Sequence, residues 1–288
     1  MRRLFLLTLF SCFFLTCFSQ LAYQEEIRQF DSSRLAYLKS DNGWLNLAGL
    51  LWLSEGRNSF GSDLNNKIVF PGAGIPAHAG YFELNKGVVT MITEPGSGIT
   101  VDGKFRKRAM VYHPDSARLP VSAMGSLRWT IKKSDDQYGI RLRDLEHHAV
   151  KEFRGLERFP VDSSWRVKAY LQKSSGGIPI TNVLGQTIDL ESPGKLIFTL
   201  GGSEYSLDAL WEGEQLYIIF GDETAGVTTY ASGRYLYARK PGPDGYTILD
   251  FNKAFNPPCA FTDFATCPIP PKQNWLPLAV VAGEKSYH

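Results

Sequence analysis

The sequence predicts a mainly β fold that opens with one amphipathic helix. Three observations predict it: helical spacing of apolar residues is confined to the first forty positions, short runs of β-branched and aromatic residues fill the remainder, and Gly, Asn, Asp or Pro interrupts those runs every ten or so residues. The elements follow in chain order.

Arg2 and Arg3 precede an apolar run from Leu4 to Leu15, and Cys17-Phe18-Ser19 supplies small residues where a signal peptidase reads. Residues 1–19 are therefore expected to be a signal peptide cleaved after Ser19. A membrane span needs about 20 apolar residues, so no stable membrane insertion is expected. A lipid on Cys17 is the alternative, but Phe14-Leu15-Thr16 stands where that reading wants small residues. The expected location is the periplasm or cell envelope.

Loss of the leader removes Arg2 and Arg3 from 31 basic residues and none of the 29 acidic ones, so the mature chain is neutral. Neutrality argues against nucleic acid as a partner, because a protein that grips phosphates shows a basic excess. The one basic run, Lys104 to Arg108, reads as a solvated loop or edge strand.

Residues 20–55 carry the helix, with Tyr23, Ile27, Phe30, Leu35 and Leu38 at helical spacing, and Asp41-Asn42-Gly43 ends it. Trp44 to Leu53 is strongly apolar and is expected to be a buried strand pair or short core segment. Residues 56–145 form the first β region, with strands at 67–70, 80–84, 88–93, 98–101, 109–112, 127–132 and 139–143. Asn85-Lys86-Gly87 and Asp102-Gly103 read as hairpin turns. Residues 146–288 form a second, antiparallel and barrel-like β region, with strands at 165–171, 186–190, 195–200, 204–209, 215–220, 230–238 and 246–250. Pro160, Pro179 and Pro193 are expected between strands. An irregular, Pro-rich segment closes the chain.

Several motifs resemble the bacterial and archaeal domain of unknown function 1684: Gly-Leu-Leu-Trp-Leu (49–53), Gly-Ile-Arg-Leu-Arg-Asp (139–144), Phe-Arg-Gly-Leu-Glu-Arg-Phe-Pro-Val-Asp (153–162) and Asp-Phe-Asn-Lys-Ala-Phe-Asn-Pro-Pro-Cys-Ala-Phe (250–261). Thr-Cys-Pro-Ile-Pro-Pro (266–271), Asn274 and Ala-Gly-Glu (282–284) complete the set. That family implies no activity. Within 56–145, Phe60-Gly61-Ser62-Asp63, Asn66 to Phe70, Ala77-His78-Ala79 and Val101-Asp102-Gly103 resemble the forkhead-associated (FHA) β-sandwich. The resemblance implies an FHA-like fold, but Ser62 and Ile75 stand where that family places its phosphate-binding arginine and serine. Phosphopeptide binding is therefore not expected.

Candidate chemistry gathers in the tail. Asp250, Asn252, Asn256, Asn274 and Glu284 lie among prolines that hold irregular backbone rigid, as a preorganised site requires. The competing reading is that these polar groups cap turns. Arg141 and Arg143 share one strand face beside Asp144, and Tyr230, Ser232 and Arg234 are expected to alternate onto another. His147 and His148, read as strand neighbours, would point apart and chelate weakly. Cys259 and Cys267, the two cysteines left after leader cleavage, are expected to form a disulfide in an oxidising compartment. A nucleophilic thiol would need one of His78, His113, His147, His148 or His288 as base, and a soft-metal site would need further ligands. No serine-hydrolase elbow, phosphate-binding Gly-rich loop or dinucleotide fingerprint occurs, so no cofactor is expected.

These readings converge on a polar pocket, formed where the tail meets Arg141–Asp144 and Tyr230–Arg234, that binds a small anionic or polar ligand. As a hydrolase it would use Asp250 or Glu284 as general base and Arg141 or Arg234 to stabilise developing charge. The competing classes are a non-catalytic envelope module with a protein partner and a metal-binding protein.

Overall fold

Alternation of apolar and polar residues becomes strand after strand in the computed structural model, which describes the backbone of residues 2–71 and 74–287 and the side chains of these from residue 20 onward. The signal-peptide and Cys17 readings concern residues 1–19, whose side chains lie outside the described residues, as does His288. Helix α1 spans Arg2–Lys39. Among the described residues no helix is long and apolar enough to cross a membrane. The chain divides into two units, residues 38–154 with 262–265, and residues 1–37, 155–261 and 266–288.

The first unit is a sandwich. Its strands are β1 (Leu47–Leu53), β2 (Gly56–Gly61), β3 (Ile68–Val69), β4 (Gly80–Asn85), β5 (Val88–Thr93), β6 (Thr100–Val101), β7 (Lys104–Phe105), β8 (Arg108–Tyr112), β9 (Ser122–Met124), β10 (Leu127–Ser134) and β11 (Gln137–Asp144). One sheet runs β1-β11-β10-β9-β6-β7 and the other β3-β2-β4-β5-β8. Their inner faces meet in one core that includes Phe60, Phe82, Met91, Trp129, Ile131, Ile140 and Leu142. Each such side chain contributes roughly 1.5–3 kcal/mol by leaving water. Trp129 packs edge-on against Phe70, the residue that follows β3.

Both expected hairpin turns form. Lys86 (φ 48°) and Gly87 (φ 81°) join β4 to β5, and Asp102 (φ 47°) and Gly103 (φ 73°) join β6 to β7, the paired positive φ that a two-residue hairpin demands. Trp44–Leu53 is not a strand pair: its single strand, β1, runs antiparallel to β11. β2 was not legible, because Gly56-Arg57-Asn58-Ser59 lacks an apolar alternation. Asn58 is instead buried by hydrogen bonds to Ser54 and Gly56 carbonyls. Ser62 donates to the Ile75 carbonyl and so closes a loop at the position where an FHA domain would carry arginine.

The helix α2 (His148–Glu152) ends this unit. Its start corrects the strand expected for His147-His148: the two rings lie side by side, 4.2 Å apart, and His147 Nδ1 sits 3.1 Å from the Leu45 carbonyl.

The second unit is barrel-like. Its strands are β12 (Arg166–Lys173), β13 (Gly177–Thr181), β14 (Thr187–Glu191), β15 (Gly194–Leu200), β16 (Ser203–Glu212), β17 (Gln215–Asp222), β18 (Arg234–Arg239), β19 (Tyr246–Asp250) and β20 (Trp275–Leu276). The main sheet runs β18-β17-β16-β15-β12-β19, with β20 parallel to β17. Its two ends approach until Thr247 Oγ1 of β19 donates to the Arg239 carbonyl of β18 at 2.7 Å, which nearly closes the sheet. Leu196, Leu207, Ile218, Leu236, Leu249 and Phe251 fill the interior. Tyr23 and Ile27 of α1 are buried in this unit.

Two expectations are corrected here. Pro179 lies inside β13, opposite Asp189, because the isolated β13-β14 ribbon has open edges where a missing N–H costs nothing. Tyr230 precedes β18 rather than belonging to it, since the Gly233 N–H bonds to the Tyr230 carbonyl and closes a turn.

Candidate functional site

The tail follows β19 through short 3-10 turns at Phe251–Lys253, Pro258–Ala260 and Lys272–Asn274, the second with proline at its start. Its polar residues divide into two regions within the barrel unit.

The first region is centred on Arg234, which is fully buried. Its Nη2 donates to Asp222 Oδ2 and the Val280 carbonyl, both at 2.9 Å. Nη1 donates to the carbonyls of Ala282 and Glu284. The second Asp222 oxygen accepts from Thr224 N, Thr224 Oγ1 and Val280 N. Burial lowers the pKa of Arg234 and the Asp222 charge opposes that shift.

Glu284 is equally committed. Its Oε1 accepts from Arg34 Nε at 3.0 Å and its Oε2 from Asn256 N at 2.7 Å. Gly283 (φ 79°) permits this course, since a Cβ there would meet the Ala254 carbonyl at 2.6 Å. Asn256 Nδ2 donates to the Lys285 carbonyl. Asn274 bridges two strands, donating to the Asp208 and Ile219 carbonyls while accepting from Asp208 N. These side chains replace missing ladder hydrogen bonds along irregular backbone.

The second region surrounds Asp250. Its Oδ1 accepts from Tyr23 Oη of α1 at 2.7 Å. Burial, reinforced by the hydrogen bond to Asp250 and its charge, raises the Tyr23 pKa far above its ordinary value, so the phenol remains a donor. Asn252 Nδ2 donates to Tyr23 Oη and to the Asp162 carbonyl. Asp250 Oδ2 is buried and has no hydrogen-bond partner. Lys253 Nζ, 3.9 Å away, is a charge neighbour too distant to donate.

Asp250 lies on the wall of a groove of about 440 Å³, which Glu26, Arg166, Tyr237, Arg239 and Lys253 help to line. With Lys240, four cations face two carboxylates there. Glu26 accepts from Lys253 at 2.5 Å, and that bond holds its pKa below the ordinary glutamate value. Arg239 is exposed and has no carboxylate within 4 Å among the described residues.

Asp250 and Asn252 thus belong to the groove region, while Glu284, Arg234, Asn256 and Asn274 serve the buried scaffold. Tyr230 sits in the turn before β18. Arg141 and Asp144 lie on β11 of the sandwich unit, where Asp144 Oδ1 accepts from Glu146 N in a turn. Cys259 and Cys267 form a disulfide with Cα atoms 6.1 Å apart. Among the described residues no group of three or more His, Cys, Asp or Glu is placed to hold a metal.

Residue-by-residue reading missed Tyr23, Glu26, Arg166, Arg239 and Lys253. They come from α1, β12, β18 and the tail; Tyr23 reads as a core-facing residue of the helix, and each of the others alone resembles an ordinary surface residue. Lys253 alone carried a signal, as the cation inside the 250–261 motif.

A family model described as protein of unknown function (DUF1684) matches residues 151–285. The motifs at 49–53 and 139–144 precede that span. Among solved structures, the chain is similar to the solution NMR structure of an uncharacterized protein of Haloarcula marismortui, at 31% identity and a TM-score of 0.41, covering 49% of this chain and 82% of that one. It is also similar to a chain from a structural and functional analysis of phosphothreonine-dependent FHA domain interactions, at 15% identity and a TM-score of 0.24, covering 33% of this chain and 92% of that one. No curated protein matches the chain.

Proposed function

Residues 151–285 belong to the DUF1684 family of proteins of unknown function, and from that premise we propose that the chain is an exported binding protein whose barrel groove takes a small molecule bearing both an anionic group and a hydrogen-bond donor. The observation that carries this reading is Asp250 Oδ2, buried without a hydrogen-bond partner on a groove wall otherwise dominated by cations. A buried carboxylate oxygen left unsatisfied is costly, and a ligand hydroxyl or ammonium that draws the Asp250 carboxyl toward the groove would satisfy it. Arg239, Arg166 and Lys253 would receive the anionic end.

Binding is favoured over hydrolysis because the groups that would stabilise charge or accept a proton alongside Asp250 are committed elsewhere: Arg234 to Asp222 and tail carbonyls, Glu284 to Arg34 and Asn256 N. Export is part of the proposal. The apolar run behind Arg2-Arg3 supports it, as does a disulfide in a chain with no other cysteine beyond residue 19.

Calorimetric titration with glycerol 3-phosphate, L-lactate and L-glutamate, each carrying both groups, tests the groove. At least one should bind, and Asp250→Asn or Arg239→Gln should weaken it about tenfold, the loss expected for one charged hydrogen bond. Equal binding by wild type and both variants, or no binding of any probe, would sink the reading. Intact mass of the exported protein with and without reductant tests cleavage after Ser19 and the cystine together.

A further inference from the structure

We propose that the outer face of the β10–β11 ladder in the sandwich unit is a second binding site, for a tetrahedral oxyanion such as phosphate or sulfate. It lies outside residues 151–285 and is independent of the barrel groove.

The register makes the case. β10 and β11 pair antiparallel with Arg128 directly opposite Arg143, Thr130 opposite Arg141 and Lys132 opposite Gly139. Leu127, Trp129 and Ile131 of β10 and Ile140 and Leu142 of β11 point into the core, so the arginines and Lys132 share the outer face. Like charges directly opposite one another on a sheet are destabilising. A core-directed alternation fixes which face these strands present, but it does not call for cations at Arg128 and Lys132 on the outer face of one strand and at Arg141 and Arg143 on that of the other.

The same face holds a cleft of about 370 Å³ lined by Asp41, Asn42, Arg128, Thr130, Arg141 and Arg143 among others. Three guanidinium groups thus meet one carboxylate. The guanidinium groups are oriented before any ligand arrives. Arg143 Nη1 donates to the Gly43 carbonyl and to Asn46 Oδ1, and Arg128 Nη1 donates to the carbonyls of Gly125 and Leu127. Trp44 stacks under both Arg141 and Arg143, with guanidinium carbons 5.8 and 5.6 Å from the ring centroid. Planar guanidinium forks match an oxyanion's several acceptor oxygens. Thr130 and Asn42 add a hydroxyl and an amide donor. Lys132, on the same face, has its pKa lowered to about 8, chiefly by burial and secondarily by the Arg141 charge.

The experiment is calorimetric titration of the full chain with inorganic phosphate in a low-salt buffer, using wild type, Arg128→Gln, Arg141→Gln and, as control, Arg57→Gln on β2 of the other sheet, an exposed position that lines neither cleft. Wild type and Arg57→Gln should bind phosphate with equal affinity, and Arg128→Gln and Arg141→Gln should each bind about tenfold more weakly. Without phosphate, Arg128→Gln should melt no lower than wild type, because it removes a like-charge pair. Absence of saturable binding, or unchanged affinity in both sandwich variants, would overturn the site; unchanged affinity there with a loss in Arg239→Gln would place the anion in the barrel groove instead.

Discussion

Glu284 and Asp250 are two buried carboxylates of one tail, and their surroundings differ in a way that separates scaffold from candidate site. Both oxygens of Glu284 are occupied, by Arg34 and by a backbone amide. Asp250 has one oxygen held by Tyr23 and one without a hydrogen bond beside an open groove. Burial and polarity are common to both regions. What distinguishes them is hydrogen-bonding capacity left unfilled in a residue that lines the groove. Arg234 Nε and Asn256 Oδ1 also lack partners, but neither residue lines the groove.

The comparison breaks most visibly at Arg234. Arg234→Met leaves Asp222 buried with an unpaired charge and should cost about 3–5 kcal/mol in urea unfolding. A loss comparable to a surface substitution would mean the network is not what holds the tail to the barrel.

Cys259→Ser with Cys267→Ser sharpens the contrast, because it loosens the tail without touching either carboxylate. Opening this short loop should lower stability by about 2.5 kcal/mol, while ligand binding in the groove persists at temperatures where the protein stays folded. Loss of both together would show that the groove depends on tail rigidity.

The most direct contrast pairs Glu284→Gln with Asp250→Asn. The first weakens two hydrogen bonds to a charged acceptor and should destabilise by about 2 kcal/mol. Asp250→Asn retains one acceptor for Tyr23 and should change stability by less than about 1 kcal/mol, with its effect appearing in binding. A reversed order would make Asp250 the scaffold residue.

The smallest effect extends the comparison to the sandwich unit. Lys132 has a folded-state pKa lowered to about 8, below its unfolded value, by burial and by Arg141. Between these two values the unfolded chain binds more protons, so stability should rise with pH from about 8 toward 10.5. The rise should be missing in Lys132→Met, as measured by the difference between the two unfolding free energies across that window.

Much of this was legible in the sequence. Alternation places the strands of both units because one buried face imposes a period of two, and the Asn85–Gly87 and Asp102-Gly103 turns follow from local φ preferences. Among the strands that escaped notice, β2 lacks that signal and buries Asn58 by hydrogen bonds, β13 hides it behind Pro179 on an open edge, and β9 and β20, three and two residues long, are too short to show it. The tail was visible as a concentration of Asn, Asp, Glu and Pro, but which of its residues cap backbone and which face a groove was not. An asparagine bridging two strands, like Asn274, and one bonded to Tyr23 behind the groove wall, like Asn252, have the same sequence signature.

The sequence by itself determined the mainly β class, the helix at the start, the turn positions and the tail as the chemically dense segment, since each depends on periodicity or on the conformational limits of single residues. Only the tertiary structure decided that Arg234 meets Asp222, that Arg34 meets Glu284 across 250 residues of chain, and that Tyr23, Arg166, Arg239 and Lys253 surround Asp250. Hydrogen-bond saturation is a property of groups brought together in space, and no local pattern records it.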